Sequence, residues 1–199
     1  MKFSRMNTLL ATGALVVALS GCSAMTAQNP ASAYSPVNAV AMNDADRVML
    51  FGADVVAYFT QNAHVQGSQQ FTSNYNDVTF YFASAEHKAL FDAKPDQYLP
   101  QYGGYCANGI MFGIPWGGNA QDFRVVDGKL YIFGGDVSQG AFELEMEKNI
   151  ALSDLYWEQE VKNSNSFLQR TKRMVFRVPH YKTGEEQAAE LQAARQTKG

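Results

Sequence analysis

Residues 79–106, reading TFYFASAEHKALFDAKPDQYLPQYGGYC, constrain the fold more than any other stretch of the chain. An aromatic, β-like run (Phe80, Tyr81, Phe82) leads directly into a helix start at Ser84. The Ser84 hydroxyl suits an N-cap, and Glu86 stands in the first turn, where a carboxylate meets the positive end of the helix dipole. Ala89, Leu90, Phe91 and Ala93 supply an apolar stripe, and Pro95 ends it because its ring drives Lys94 out of the α region. A second short turn over 96–99 precedes Pro100, and Gly103-Gly104 then breaks the chain before Cys106. The stretch thus reads strand, helix, turn and thiol, with His87 inside the helix.

The flanking segments supply strands and further helices. Phe71, Ser73 and Tyr75 alternate with polar residues, Asn76-Asp77 tolerates positive φ, and Val78, Phe80 and Phe82 follow, which together predict a β-hairpin with one aromatic face on the core. Phe123–Val126 and Leu130–Phe133 flank Asp127-Gly128-Lys129, the strongest hairpin signal in the sequence. Residues 52–59 read as a short helix or turn passing into a strand or extended piece. Ala, Glu, Met and Lys content favours a helix over 137–148, and Ser153 is expected to cap another running to about Lys162. The fold class that follows is α+β, with small antiparallel hairpins packed against short helices.

Before that domain comes a segment with an address. Lys2 and Arg5 form a positive n-region, residues 9–19 an apolar run too short to span a bilayer, and small residues follow, which is the pattern of a secretory signal. Leu19-Ser20-Gly21-Cys22 resembles the lipobox of bacterial lipoproteins, which implies cleavage before Cys22 and lipidation of its thiol. Ser23 stands where an inner-membrane lipoprotein often carries Asp, so the resemblance implies a cell-envelope protein held at the outer membrane and facing the periplasm. Cleavage would leave 14 basic and 19 acidic residues, a net charge of -5, so attachment rests on the lipid rather than on electrostatics. Without a basic run in its central region the chain is not expected to bind nucleic acid.

The expected organisation is therefore a signal peptide over 1–21, a flexible tether over 22–43, a domain over 44–162, and an appendage over 163–199. That appendage carries Arg170, Lys172, Arg173 and Arg177 around the apolar 175–178 run, followed by an Ala, Glu and Gln-rich helix. It reads either as a solvated strand and tail or as a surface for an anionic membrane or a protein partner.

Several separated motifs together resemble the YHS domain proteins, specifically their stand-alone secreted bacterial branch. They are Gly52-Ala53-Asp54-Val55-Val56-Ala57-Tyr58-Phe59, Phe80–His87, Pro95, Tyr98–Cys106 and Val126–Tyr131, in the family's order between about Asp46 and Trp157. The resemblance implies a YHS-type α+β domain and, in members with a full cysteine set, metal binding. Here Ala83 and His87 stand at the two positions of the Phe-Cys-Ser-x-x-Cys pattern, no upstream cysteine pair exists, and Val55 replaces the usual Pro. A cysteine-rich zinc site therefore does not carry over, because tetrahedral zinc needs about four ligands.

With Cys22 committed to lipid, Cys106 is left without an intramolecular disulfide partner. Its functional reading is a thiol at a helix start, available to a small thiol-reactive ligand, or to soft copper together with His87 and the Met111 thioether. Its bland reading is a buried small hydrophobe, which would leave a structural or protein-interaction lipoprotein. An enzyme would use Cys106 as nucleophile and His87 as base, with Asp54 or Glu86 orienting the imidazole. No phosphate loop, zinc-protease helix, nucleophile elbow or dinucleotide fingerprint accompanies them.

Overall fold

A computed structural model describes residues 37–43 and 45–197; the expected signal peptide, Cys22 and most of the expected tether lie outside them. The architecture is α+β, with two small sheets packed against short helices. Strands β1 (Ala39–Met42) and β2 (Ala45–Met49) pair antiparallel, so regular structure begins inside the segment expected to be tether. β3 (Ser68–Tyr75) and β4 (Val78–Phe82) form the expected hairpin, turning through Asn76 and Asp77 at φ 51° and 58°. Two consecutive left-handed residues are what a tight hairpin turn requires. A parallel bridge from Val48 to Thr79 joins the pairs into one sheet of order β1-β2-β4-β3. β5 (Asn119–Val126) and β6 (Lys129–Phe133) make the second sheet and turn at Asp127 and Gly128.

The helices are α1 (Ala57–Thr60), α2 (Ala85–Ala93), α3 (Pro95–Tyr98), α4 (Ala107–Ile110), α5 (Asp136–Glu143), α6 (Met146–Tyr156), α7 (Ser166–Val175) and α8 (Gly184–Gln196). Ser84 caps α2, its Oγ accepting from the His87 N–H at 3.1 Å, and Lys94 leaves the α region before Pro95 as the sequence requires. Among the described residues, no helix is long and apolar enough to cross a membrane.

Four expectations need correction. Residues 52–59 form no strand: Ala53 makes a single bridge to Gln66, and the chain then enters α1. The helix expected over 137–148 breaks at Leu144 and Glu145, where Glu145 adopts φ -134° and ψ 53°, so α5 and α6 are separate. Ser153 lies inside α6, fully buried, its hydroxyl donating to the carbonyls of Asn149 and Ala107 rather than capping a helix. β4 is buried at all five positions and not on one face alone. Gly67 explains this, because a Cβ there would lie 2.5 Å from the Tyr81 carbonyl carbon, so the loop before β3 crosses directly over the strand.

The core divides in two, and β6 divides it. Leu130 and Ile132 join the first cluster with Phe80, Phe82, Phe91 and Tyr58, whereas Tyr131 and Phe133 join the second with Tyr105, Ile110, Phe112 and Phe142. Alternate side chains of a strand point to opposite faces, so one five-residue segment serves both cores.

The segment after Asn163, read as an appendage, packs on this second core. Val178 is buried in it, and Leu191 of α8 lies so close to α5 that a Cβ on Gly140 would meet it at 2.7 Å. The 175–178 run forms no strand. Its basic residues are engaged within the molecule: Arg170 donates to the Pro115 carbonyl at 2.6 Å, Lys172 and Arg173 pair with Glu160, and Arg177 lies over the Tyr181 ring.

Three buried tyrosines make the fold sensitive to alkali. The Tyr58 hydroxyl donates to the Ala120 carbonyl at 2.7 Å and that of Tyr102 to Asp154 Oδ1 at 2.8 Å. Burial pushes both phenols well above their ordinary value, and that of Tyr131 to about 12. Above about pH 10 the unfolded chain loses these protons while the folded chain keeps them, so stability falls as pH rises, by up to about 1.4 kcal/mol per pH unit for each tyrosine. Urea midpoints at pH 8, 10 and 11 should decline accordingly, and Tyr58→Phe should flatten the decline; an unchanged slope in that variant would remove Tyr58 from the account.

Candidate functional site

Cys106 is brought into position by backbone rather than by its own side chain. Tyr102, Gly103 and Gly104 all take positive φ (54°, 63° and 77°), which swings the chain alongside β6. Gly104 is also hemmed in, since a Cβ there would stand 3.0 Å from Leu50 Cδ2. Pro100 and Cys106 then form parallel bridges to Leu130 and Ile132, and the Cys106 N–H donates to the Trp116 carbonyl at 2.9 Å. The thiol is pinned at the edge of β6, at the N-terminal end of α4.

The sulfur has a defined polar surround. It accepts from the Gly134 N–H at 3.1 Å, and the Ser138 hydroxyl lies 3.8 Å away. The Gly109 N–H donates to the Cys106 carbonyl at 2.9 Å, and the sulfur makes no capping bond to the first turn of α4. Burial pushes the thiol pKa up, and the Gly109 N–H, Ser138 hydroxyl, Gly134 N–H and Asn108 N–H pull it back without reversing the direction. At rest the group is a thiol in a setting already wired to receive negative charge.

A cavity of about 470 Å³ opens on this sulfur. Cys106, Asn108 and Trp116 line one side, the 134–138 turn another, and Gly184 and Gln187 of α8 the third. That volume lies within the range of small-ligand sites. Asn108 is 2% exposed, and its Nδ2 donates to Gln187 Oε1 at 2.6 Å. Its Oδ1 is buried with no partner among the described residues. An unsatisfied buried acceptor costs about 1–3 kcal/mol, so a donor supplied to that atom would be stabilising.

His87 belongs to a different arrangement. Its Nδ1 lies 2.6 Å from Asp54 Oδ2, and Asp54 also accepts from the N–H groups of Val56 (2.9 Å), Ala57 (3.3 Å) and Ala83 (2.8 Å). Of the two carboxylates considered for orienting the imidazole, Asp54 holds it. The His87 Nε2 faces Thr60 Oγ1 and Gln61 Nε2 at 3.4 and 3.5 Å. Met111 is packed in the second core, and its carbonyl accepts from His180 Nε2 at 2.8 Å. Among the described residues, Cys106, His87 and Met111 share no hydrogen bond, and His87 and Met111 do not line the Cys106 cavity. No group of three or more His, Cys, Asp or Glu suited to a metal ion occurs among those residues.

Asn108, Gly134, Ser138 and Gln187 were not singled out in the sequence. A buried amide and a serine carry no motif, and only the pairing of the 134–138 turn with Cys106 reveals them. No family model, curated protein or solved structure matches the chain.

Asp54 therefore acts as a staple tying α1, the end of β4 and α2 together. Asp54→Ala should lose about 3 kcal/mol of unfolding free energy and His87→Gln about 1–2, because the latter leaves three N–H donors on the carboxylate. Urea denaturation checks the order, and His87→Gln should leave the native labelling rate of Cys106 unchanged. A smaller loss in Asp54→Ala than in His87→Gln would remove the staple.

Proposed function

We propose that this chain is a lipid-anchored, YHS-type binding domain whose site is the Cys106 cavity, and that it takes up a small thiol-reactive ligand. One observation carries the reading: Cys106 and Asn108, whose buried Oδ1 has no partner among the described residues, line one cavity of ligand size. The segments that resemble the YHS proteins support the family reading by their packing. Asp54 of the first bonds to Ala83 and His87 of the second, and Cys106 lies beside the Val126–Tyr131 hairpin. The soft-metal alternative is less well served, because neither His87 nor Met111 lines the Cys106 cavity, and one thiol alone is a poor cage for copper. The anchor is assigned to lipid on Cys22, which would hold the domain at the periplasmic face of the outer membrane.

A second reading, an interaction lipoprotein, is favoured by Leu168, Met174, Val175 and Phe176, which stand exposed on α7 and just beyond it.

Detergent-extracted protein should take one equivalent of methyl methanethiosulfonate in the native state, and Cys106→Ser none, as read by intact mass. Copper(I) and zinc(II), each supplied separately under reducing conditions, should not load at one ion per chain. A thiol inert until the chain is unfolded would sink the ligand reading, and a full copper equivalent lost in Cys106→Ser would replace it with the metal. Cys22→Ser should move the protein out of the membrane fraction and abolish acyl mass; acylation elsewhere would overturn the anchor.

A further inference from the structure

The polar groups and charge around the Cys106 cavity point to a ligand class. Several donors near it are engaged. The Gly134 N–H is shared between Cys106 Sγ and Ser138 Oγ at 3.1 Å each, the Val137 N–H donates to Asp136 Oδ1 at 2.7 Å, and the Gln139 N–H donates to the Gly135 carbonyl at 3.0 Å. On the far side Asn108 Nδ2 is held by Gln187 Oε1, and Gln187 Nε2 by the Lys182 carbonyl at 3.1 Å. Asn108 Oδ1 is a buried acceptor with no partner among the described residues. The lining contains no lysine or arginine, and its one charged side chain is Asp136.

A helix start normally invites an anion through its free N–H groups. Here the Val137 and Gln139 N–H groups of α5 are engaged, and a carboxylate stands on its first turn. An anionic ligand would meet repulsion from Asp136 and no lysine or arginine in the lining. A ligand bearing an ammonium group would give Asn108 Oδ1 its missing donor and meet Asp136 with opposite charge. Trp116 lines the same cavity, and an aromatic face adds attraction for a cation.

Resting on the small-ligand reading above, we propose that the cavity selects a small disulfide carrying an ammonium group and that Cys106 captures half of it as a mixed disulfide. The Cys106 thiolate attacks one sulfur of the ligand; the new S–S bond forms as the ligand's own S–S bond breaks, and the other half leaves as a thiolate. That thiolate takes up the proton which Cys106 gave up, so electrons and protons balance with the disulfide as the only oxidant. The bound ammonium also favours the attacking thiolate, and the Gly134 N–H, which donates to the sulfur, helps hold the negative charge on Cys106 before the bond is made.

The test compares three probes of similar size on detergent-extracted protein, read by intact mass: cystamine (cationic), bis(2-hydroxyethyl) disulfide (neutral) and dithiodiglycolate (anionic). Each native rate is divided by the rate for the same protein unfolded in urea, which removes the probe's intrinsic reactivity. The normalised rate for cystamine should exceed that for the neutral probe by roughly tenfold, with the anionic probe slowest, the size expected for one partly screened charge contact. Asp136→Asn, a change at an exposed position, should bring cystamine down to the neutral rate. Equal normalised rates, or a cationic preference that survives Asp136→Asn, would overturn the charge selection and leave the small-ligand reading standing. No native adduct with any probe, together with full reaction after unfolding, would sink both.

Discussion

The fold depends on β6 having both faces covered. A strand of five residues normally gives one face to a core and the other to water. In this chain Leu130 and Ile132 face the cluster beneath the four-stranded sheet, and Tyr131 and Phe133 face the helical cluster built on α4, α5 and the 157–161 turn. Burying an aliphatic or aromatic side chain contributes about 1.5–3 kcal/mol, so one short strand couples two cores, and neither can be lost without exposing β6. The same strand carries the bridges to Pro100 and Cys106. The thiol therefore sits beside the strand that both cores share.

That position separates the roles of the two residues which the sequence sets 19 apart. His87 lies on the first core's side, held by a carboxylate of zero exposure that also receives three backbone donors. Every atom of the Asp54 carboxylate is spent on joining neighbouring elements, which explains why a charged residue can be buried there at all. Cys106 lies at the edge of β6, where its sulfur accepts from the Gly134 N–H and the residue lines a cavity that His87 does not line.

Local chemistry made much of the fold legible in the sequence. Asn76-Asp77 and Asp127-Gly128 announced their hairpins because few residues accept consecutive positive φ, and Ser84 and Pro95 fixed the ends of α2 through a cap and a steric clash. The break at Leu144 and Glu145 was hidden, since neither Gly nor Pro marks it, and the helical composition on either side reads as one run. Ser153 misled for a related reason: a serine can cap a helix or return its hydroxyl to the carbonyl four residues back, and only burial against Ala107 decides between them. Of the candidate site, the sequence supplied Cys106 and its Gly-Gly approach. The rest comes from residues 134–138 and 184–187, whose nearness to Cys106 is tertiary and leaves no local pattern.

The C-terminal segment shows how much that tertiary closure matters. Without α8 the Cys106 cavity would lose the wall formed by Gly184 and Gln187, and the Asn108 amide would lose the Gln187 side chain that accepts from it. Leu191 anchors the helix against Gly140, where the absence of a Cβ permits backbone-close packing, and a capping box at Thr183 and Glu186 fixes where the helix begins. Its start is thus set within one residue of the cavity rim. A segment that merely trailed from the domain would need no such registration, so the geometry of α8 is best understood as part of the wall that turns an accessible cysteine into an enclosed one. Enclosure raises the thiol pKa and slows indiscriminate oxidation, while the N–H groups around the sulfur keep it able to react with whatever the cavity admits.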